Sequence, residues 1–111
     1  MPDRRKFGAL GEQFAADLFS EEGYRILERN FRCRMGEADI ICEKNNEIIF
    51  AEVKTRMSLM MGRPAESVNS VKKRHLKNTA AYYLQQNQIH DKNVSFQVIE
   101  ILVNQIRDLS F

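Results

Sequence analysis

Two short apolar runs, Ile40-Ile41-Cys42 and Ile48-Ile49-Phe50-Ala51, flank Lys44-Asn45-Asn46-Glu47, and this arrangement constrains the fold more than any other stretch of the chain. Asparagine tolerates the positive φ of a type I′ turn, so Asn45-Asn46 predicts a two-residue hairpin that pairs Lys44 with Glu47. Counting outward, Ile41 faces Phe50, Asp39 faces Glu52 and Glu37 faces Lys54, with opposed Cβ atoms about 5 Å apart. Strand alternation puts Glu37 and Asp39 on one face with Ala38, Ile40 and Cys42 on the other. It likewise gives Glu52 and Lys54 one face, with Ala51, Val53 and Thr55 behind them. A slip of one residue would send all of these side chains to the opposite side.

Around the hairpin, the 111 residues read as a single α/β domain spanning residues 1–111, with 43% apolar residues and seven Phe to fill one core. Lys6 to Glu22 predicts a first helix with Phe7, Leu10, Phe14 and Leu18 in one stripe and Gly23 as its C-terminal cap. Gly8 and Gly11 inside it weaken the helix, which fits either a close approach of another segment or a frayed first turn. Tyr24 to Cys33, Glu37 to Glu43 and Glu47 to Thr55 read as an antiparallel meander. A second helix is expected from about Val71 to Gln86, capped by Asn69 or Ser70, with Leu76, Ala80, Tyr83 and Leu84 inward and a basic outer face. Val94 to Val103 reads as a buried strand, and Gln105 to Phe111 as a further short edge strand with Phe111 tied down. The expected order is αβββαβ with that possible extra strand, in a mixed central sheet flanked by the helices.

Seventeen Lys and Arg against fifteen Asp and Glu leave a net charge of +2, so any affinity for nucleic acid must come from where the charges lie. The longest apolar run, Ile48 to Ala51, is far shorter than the ~20 residues of a membrane-spanning helix. The basic Arg4-Arg5-Lys6 is followed by Glu12 and Asp17 where a signal peptide needs an apolar region, which predicts a cytoplasmic protein. Cys33 and Cys42 form no CxxC pair and are expected to make neither a disulfide nor a zinc site. His75 and His90 have no partner at ligand spacing and read as surface residues.

The predicted register carries the chemistry. Asp39 opposite Glu52 is a like-charge pair between apolar strands, and one ammonium at Lys54 cannot offset both of them together with Glu37. A hard divalent cation, Mg²⁺ or Mn²⁺, would compensate through oxygen ligands and could activate a water against a phosphodiester, with Lys54 orienting the water or the phosphate. The bland alternative makes Glu52 and Lys54 solvent-facing hairpin residues and Glu37–Lys54 a simple salt bridge. Lys72, Lys73, Arg74, His75 and Lys77, after a loop with Arg56 and Arg63, suit either a phosphate track or a solvated helix face. The methionine-rich loop of Met57, Leu59, Met60 and Met61 fits a docking surface or a loop folded onto its own core.

The stretches Gly23 to Arg32, Gly36-Glu37-Ala38-Asp39-Ile40-Ile41 and Phe50-Ala51-Glu52-Val53-Lys54-Thr55-Arg56, with the later Val68-x-x-x-Lys72, resemble the YraN-like family of uncharacterised bacterial proteins, uncharacterised protein family 0102. That family is similar to the restriction-endonuclease-like PD-(D/E)xK superfamily, and especially to archaeal Holliday-junction resolvases. The resemblance implies a restriction-endonuclease-like domain with Asp39, Glu52 and Lys54 as catalytic residues and Glu12 joining them. Asp39, Glu52 and Glu12 would hold Mg²⁺ or Mn²⁺, with Glu37 supporting them from the side. Lys72, Lys73, Arg74, Lys77 and Arg56 would contact nucleic acid, DNA before RNA, in a protein that, by analogy with resolvases, could be a homodimer. Gln97 stands where the family commonly has Asp, and Ala38 where it usually has a larger aliphatic residue. The expectation is an endonuclease acting on branched or processed DNA, the alternative being a non-catalytic nucleic-acid-binding module on the same fold.

Overall fold

The computed structural model describes residues 4–56, 70–102 and 105–111, with side chains for residues 8–56, 70–102 and 110–111. Helix α1 (Arg4–Glu21) precedes a meander of β1 (Arg25–Cys33), β2 (Gly36–Lys44) and β3 (Glu47–Arg56); α2 (Ser70–Gln86) then leads to β4 (Asn93–Leu102) and β5 (Gln105–Ser110). The strands form one sheet in the order β1-β2-β3-β4-β5, antiparallel throughout except for the parallel β3–β4 ladder. The expected α/β order is therefore observed, and the C-terminal edge strand with it. Phe111 is fastened as expected: its N–H donates to the Phe96 carbonyl at 3.2 Å, and its ring stacks on Phe96 at 6.0 Å.

Each face of the sheet carries its own core. Against α1 lie Ile40, Cys42, Ile49, Ala51, Val53 and Ile99, met by Ala15, Ala16 and Phe19. Against α2 lie Phe31, Ala38, Ile41, Ile48 and Phe50, met by Leu76, Ala80 and Tyr83. Burying each large side chain contributes roughly 1.5–3 kcal/mol. The second interface is aromatic, with the Tyr83 ring edge-on to both Phe31 and Phe50. Cys33 and Cys42 are both free and pack on opposite sides of the sheet, a geometry that no disulfide spans.

The expected inward stripe of α1 is corrected. Leu10 and Phe14 are 70% and 49% exposed, while Ala15, Ala16 and Phe19 are buried. The helix packs through its small residues because it lies close: a Cβ at Gly11 would collide with the Thr55 hydroxyl, whereas nothing stands near Gly8. Close approach, rather than fraying, accounts for Gly11. Gly23, at φ 94°, ends α1 with its own N–H donating to Ser20 and the Tyr24 N–H reaching back to Phe19, a Schellman closure. Gln88, at φ 56°, closes α2 in the same way through Gln85 and Leu84. The Phe7 side chain, the methionine-rich loop of Met57 to Met61, Arg63, Val68 and Asn69 lie outside the described residues, as do the side chains of Arg4, Arg5 and Lys6.

Candidate active site

The hairpin register holds from Lys44↔Glu47 through Ile41↔Phe50 to Ile40↔Ala51, and there the β2–β3 ladder ends. Of the two turn residues only Asn45 takes a positive φ, 56°, where a type I′ turn would need both. Beyond Ile40 the expected Asp39–Glu52 and Glu37–Lys54 cross-strand pairs do not form. Asp39 turns its carboxylate into the seam, where Oδ2 accepts the Val53 N–H at 2.7 Å in place of a ladder partner. Alternation breaks at the same point: Ala38 packs on the α2 side, whereas Ile40 and Cys42 pack on the α1 side. Asn30 of β1, between the Arg29↔Ile40 and Phe31↔Ala38 pairs, sits at φ 55°, so both strands change face together.

Glu37 is drawn away to β1, where its Oε2 lies 3.2 Å from Arg32 Nε, and both side chains are largely exposed. Lys54 instead meets Glu52, its neighbour two residues earlier on the same face of β3, with Nζ to Oε1 at 3.2 Å. Lys72, from the start of α2, approaches the same Glu52 oxygen at 3.9 Å. From the other side α1 delivers Glu12, next to the glycine that lies on Thr55; its Oε1 is buried and accepts no hydrogen bond. Gln97, on β4 beside Ala51, has a similarly unpartnered buried oxygen.

These positions set the local electrostatics. Burial pushes the Asp39 carboxyl up to about 6; the Val53 hydrogen bond opposes this, and the charges of Glu12, Glu52 and Glu37 add to it. Burial pulls the Lys54 ammonium down, but the carboxylates of Glu52 and Asp39 hold it above its ordinary range. Lys72 is lowered by burial and by the Lys54 charge beside it. Glu52 and Asp39 thus stand beside two lysines with the Glu12 charge felt at Asp39, and Asp39 retains its proton far more readily than a free carboxylate.

Among the described residues no three His, Cys, Asp or Glu side chains come close enough to hold a metal ion between them, so the expected ligand trio is gathered but not closed. The donors nevertheless suit a hard cation. Mg²⁺ commonly takes only one or two carboxylates and completes its shell with water and substrate oxygens. Glu12 offers a buried oxygen without a partner, and Asp39 has committed a single oxygen to the backbone.

The other expected contacts separate. Arg56 forms a 2.6 Å ion pair with Glu100, which is 0% exposed, so its charge is engaged inside the protein. Lys73 and Lys77 lie over the Phe111 and Phe96 rings at 5.3 and 6.0 Å, toward β4 and β5, while Arg74 is exposed. Glu100 was missed because its strand reads as nearly continuous apolar sequence; a lone acid in Val98-Ile99-Glu100-Ile101-Leu102 was the available signal. Arg32 and Cys33 were missed too, and His75, exposed as expected, was named only within the basic run. With Gly36, Glu37, Glu52, Lys72 and Leu76 they line a cavity of about 400 Å³ between β1, β2, β3 and α2, and no spacing in the sequence announced it.

The fold and site thus define a three-layered α/β domain, helix on sheet on helix, with an acid-and-lysine cluster at the frayed end of a hairpin. The model of Uncharacterised protein family UPF0102 matches residues 11–101. A UPF0102 protein of Caldicellulosiruptor saccharolyticus is 43% identical over 102 residues, covering 92% of this chain and 86% of that one. One from Moorella thermoacetica is 45% identical (88% and 82% covered), and one from Syntrophomonas wolfei 46% identical (89% and 86% covered). The chain belongs to the UPF0102 family. No helix among the described residues is long and apolar enough to cross a membrane.

Proposed function

We propose that this chain is a divalent-metal-dependent endonuclease of the PD-(D/E)xK type, acting on DNA of branched or processed structure. The observation that carries this reading is the grouping of Asp39 and Glu52 from adjoining strands beside Lys54 and Lys72, with Glu12 of α1 near enough for its charge to bear on Asp39. Asp39 and Glu52 would hold Mg²⁺ or Mn²⁺ with help from Glu12, and the bound ion would lower the pKa of a water and offset charge on the phosphodiester. Lys54, fixed by Glu52, positions the attacking water or a phosphate oxygen. Lys72, shared between Glu52 and the groove, meets substrate phosphate.

Cleavage of single-stranded, branched and flapped DNA in Mn²⁺ is the test, with Asp39→Asn expected to abolish cutting and keep or tighten binding, because a negative charge facing phosphate is removed. An anomalous peak between Asp39 and Glu52 in a Mn²⁺-soaked crystal would support the same arrangement. One observation favours the rival, a non-catalytic nucleic-acid-binding module: Glu52 is already countered by two lysines and the carboxylate trio does not close. Binding of DNA with neither cutting nor a rise in melting temperature under saturating Mn²⁺ would establish that reading.

A further inference from the structure

The cavity between β1, β2, β3 and α2 lies directly beside the acid cluster, because Glu52 lines both. At about 400 Å³ it is within the range of about 300–1,000 Å³ seen for small-ligand sites, and it is far larger than a metal ion with its waters needs. Its lining is divided by chemistry. Leu76, Cys33 and the bare backbone of Gly36 form an apolar part; Leu76 is buried and Cys33 half-buried. Arg32 and Lys72 supply donors and positive charge, His75 an imidazole ring, and Glu37 and Glu52 supply acceptors. Gly36 keeps the space between strand and helix narrow: a Cβ there would come within 2.9 Å of Thr79 Oγ1 and 3.4 Å of His75 Cβ.

An apolar part for a flat ring, acceptors for exocyclic amino groups and cations for a phosphate together match one nucleotide. We propose that this cavity receives a single unpaired nucleotide next to the phosphate presented to Asp39 and Glu52. The proposal deepens the nuclease reading and rests on it. A base inside a duplex reaches such a cavity only after unstacking and unpairing, which costs a few kcal/mol. The preferred substrate therefore already carries an unpaired base, at a gap, a flap or a single strand, and continuous duplex is held only by phosphate contacts along α2.

The chain carries its own reporter. Cys33 lines the cavity, whereas Cys42 is buried in the opposite core with its thiol pushed up to about 12 by burial and by the Glu47 charge, so alkylation selects Cys33. Two labelled DNAs are compared in EDTA, a continuous duplex and the same duplex with a one-nucleotide gap, with binding followed by fluorescence anisotropy. Saturating gapped DNA should slow iodoacetamide labelling of Cys33 about tenfold or more, and duplex by less than about twofold, in keeping with loss or retention of one base contact. A benzyl disulfide on Cys33 should weaken the gapped complex about tenfold and leave the duplex complex unchanged, with thiol reduction restoring the original affinity and an unchanged melting curve showing that the fold survives. Equal labelling rates under bound gapped and duplex DNA, or equal affinities after benzylation, would overturn the cavity's role and leave the nuclease reading standing. Failure of both DNAs to bind the unmodified protein would overturn the two together.

Discussion

The sheet carries two groups of charges within a few residues of each other, and they are built on opposite plans. Arg56 and Glu100 meet as opposite charges, 2.6 Å apart, with Glu100 wholly buried. At the frayed end of the hairpin two lysines pair with Glu52, the charges of Glu12 and Glu52 both bear on Asp39, and Asp39 is pushed up to about 6 chiefly by its burial. A matched pair gains nothing from a newcomer. A cluster with surplus negative charge is stabilised by an arriving cation, and that imbalance of charge separates structure from candidate chemistry better than the residue types do.

Neutralising Asp39 should have the largest effect. Asp39→Asn is expected to lower cleavage by about 10³-fold or more, measured as single-turnover cutting in Mn²⁺, since both a metal ligand and its field are lost. The same substitution should raise thermal stability in EDTA at neutral pH. A carboxyl whose pKa is higher in the folded chain than in the unfolded one binds protons preferentially in the fold, so wild-type stability falls as pH climbs from about 4 to about 6. The gap in melting temperature between variant and wild type should therefore open through that window and close below it. A gap that does not vary with pH would remove the contrast between the two groups.

Glu100→Ala should cost about 3 kcal/mol in chemical denaturation, because it removes the carboxylate paired with a largely buried guanidinium. A loss below about 1 kcal/mol would show the matched pair to be no more structural than a surface bridge. Gly11→Ala should cost roughly 1–3 kcal/mol through overpacking on Thr55, and by lifting α1 it should also move Glu12 away and let the Asp39 pKa drift down, readable by carboxyl NMR titration. Lys72→Met should shift stability by less than about 1 kcal/mol while reducing the salt slope of DNA binding by about one.

Much of this was legible in the sequence, and the failures share a cause. Asn45-Asn46 and the flanking isoleucines fixed the register from Lys44 to Ile40, because turn length and apolar period allow only one pairing there. The same counting failed one residue later. Period two assumes that backbone pairs with backbone, and the Asp39 carboxylate took the Val53 N–H instead. Glu37–Lys54 failed with it, since the lost pairing freed Glu37 for Arg32. On α1 a stripe of large apolar residues pointed to the wrong face, because a helix lying close to a sheet packs through glycine and alanine. Asp39, Glu52 and Lys54 lie near one another, though not in the expected cross-strand pairs, while Glu12, named only from family resemblance, is positioned by the close approach of Gly11 to Thr55.

The parallel β3–β4 ladder, from Glu47↔Asn93 to Arg56↔Leu102, joins strands separated in the chain by the whole of α2. Closing that long loop is slow relative to the local turns of the meander. Glu12, Asp39, Glu52 and Lys54 are all made before the crossover begins, and Lys72 follows on the crossover helix, still ahead of β4. On the ribosome, the acids are thus made before the sheet has its fourth strand, and the late helix brings the second counter-charge.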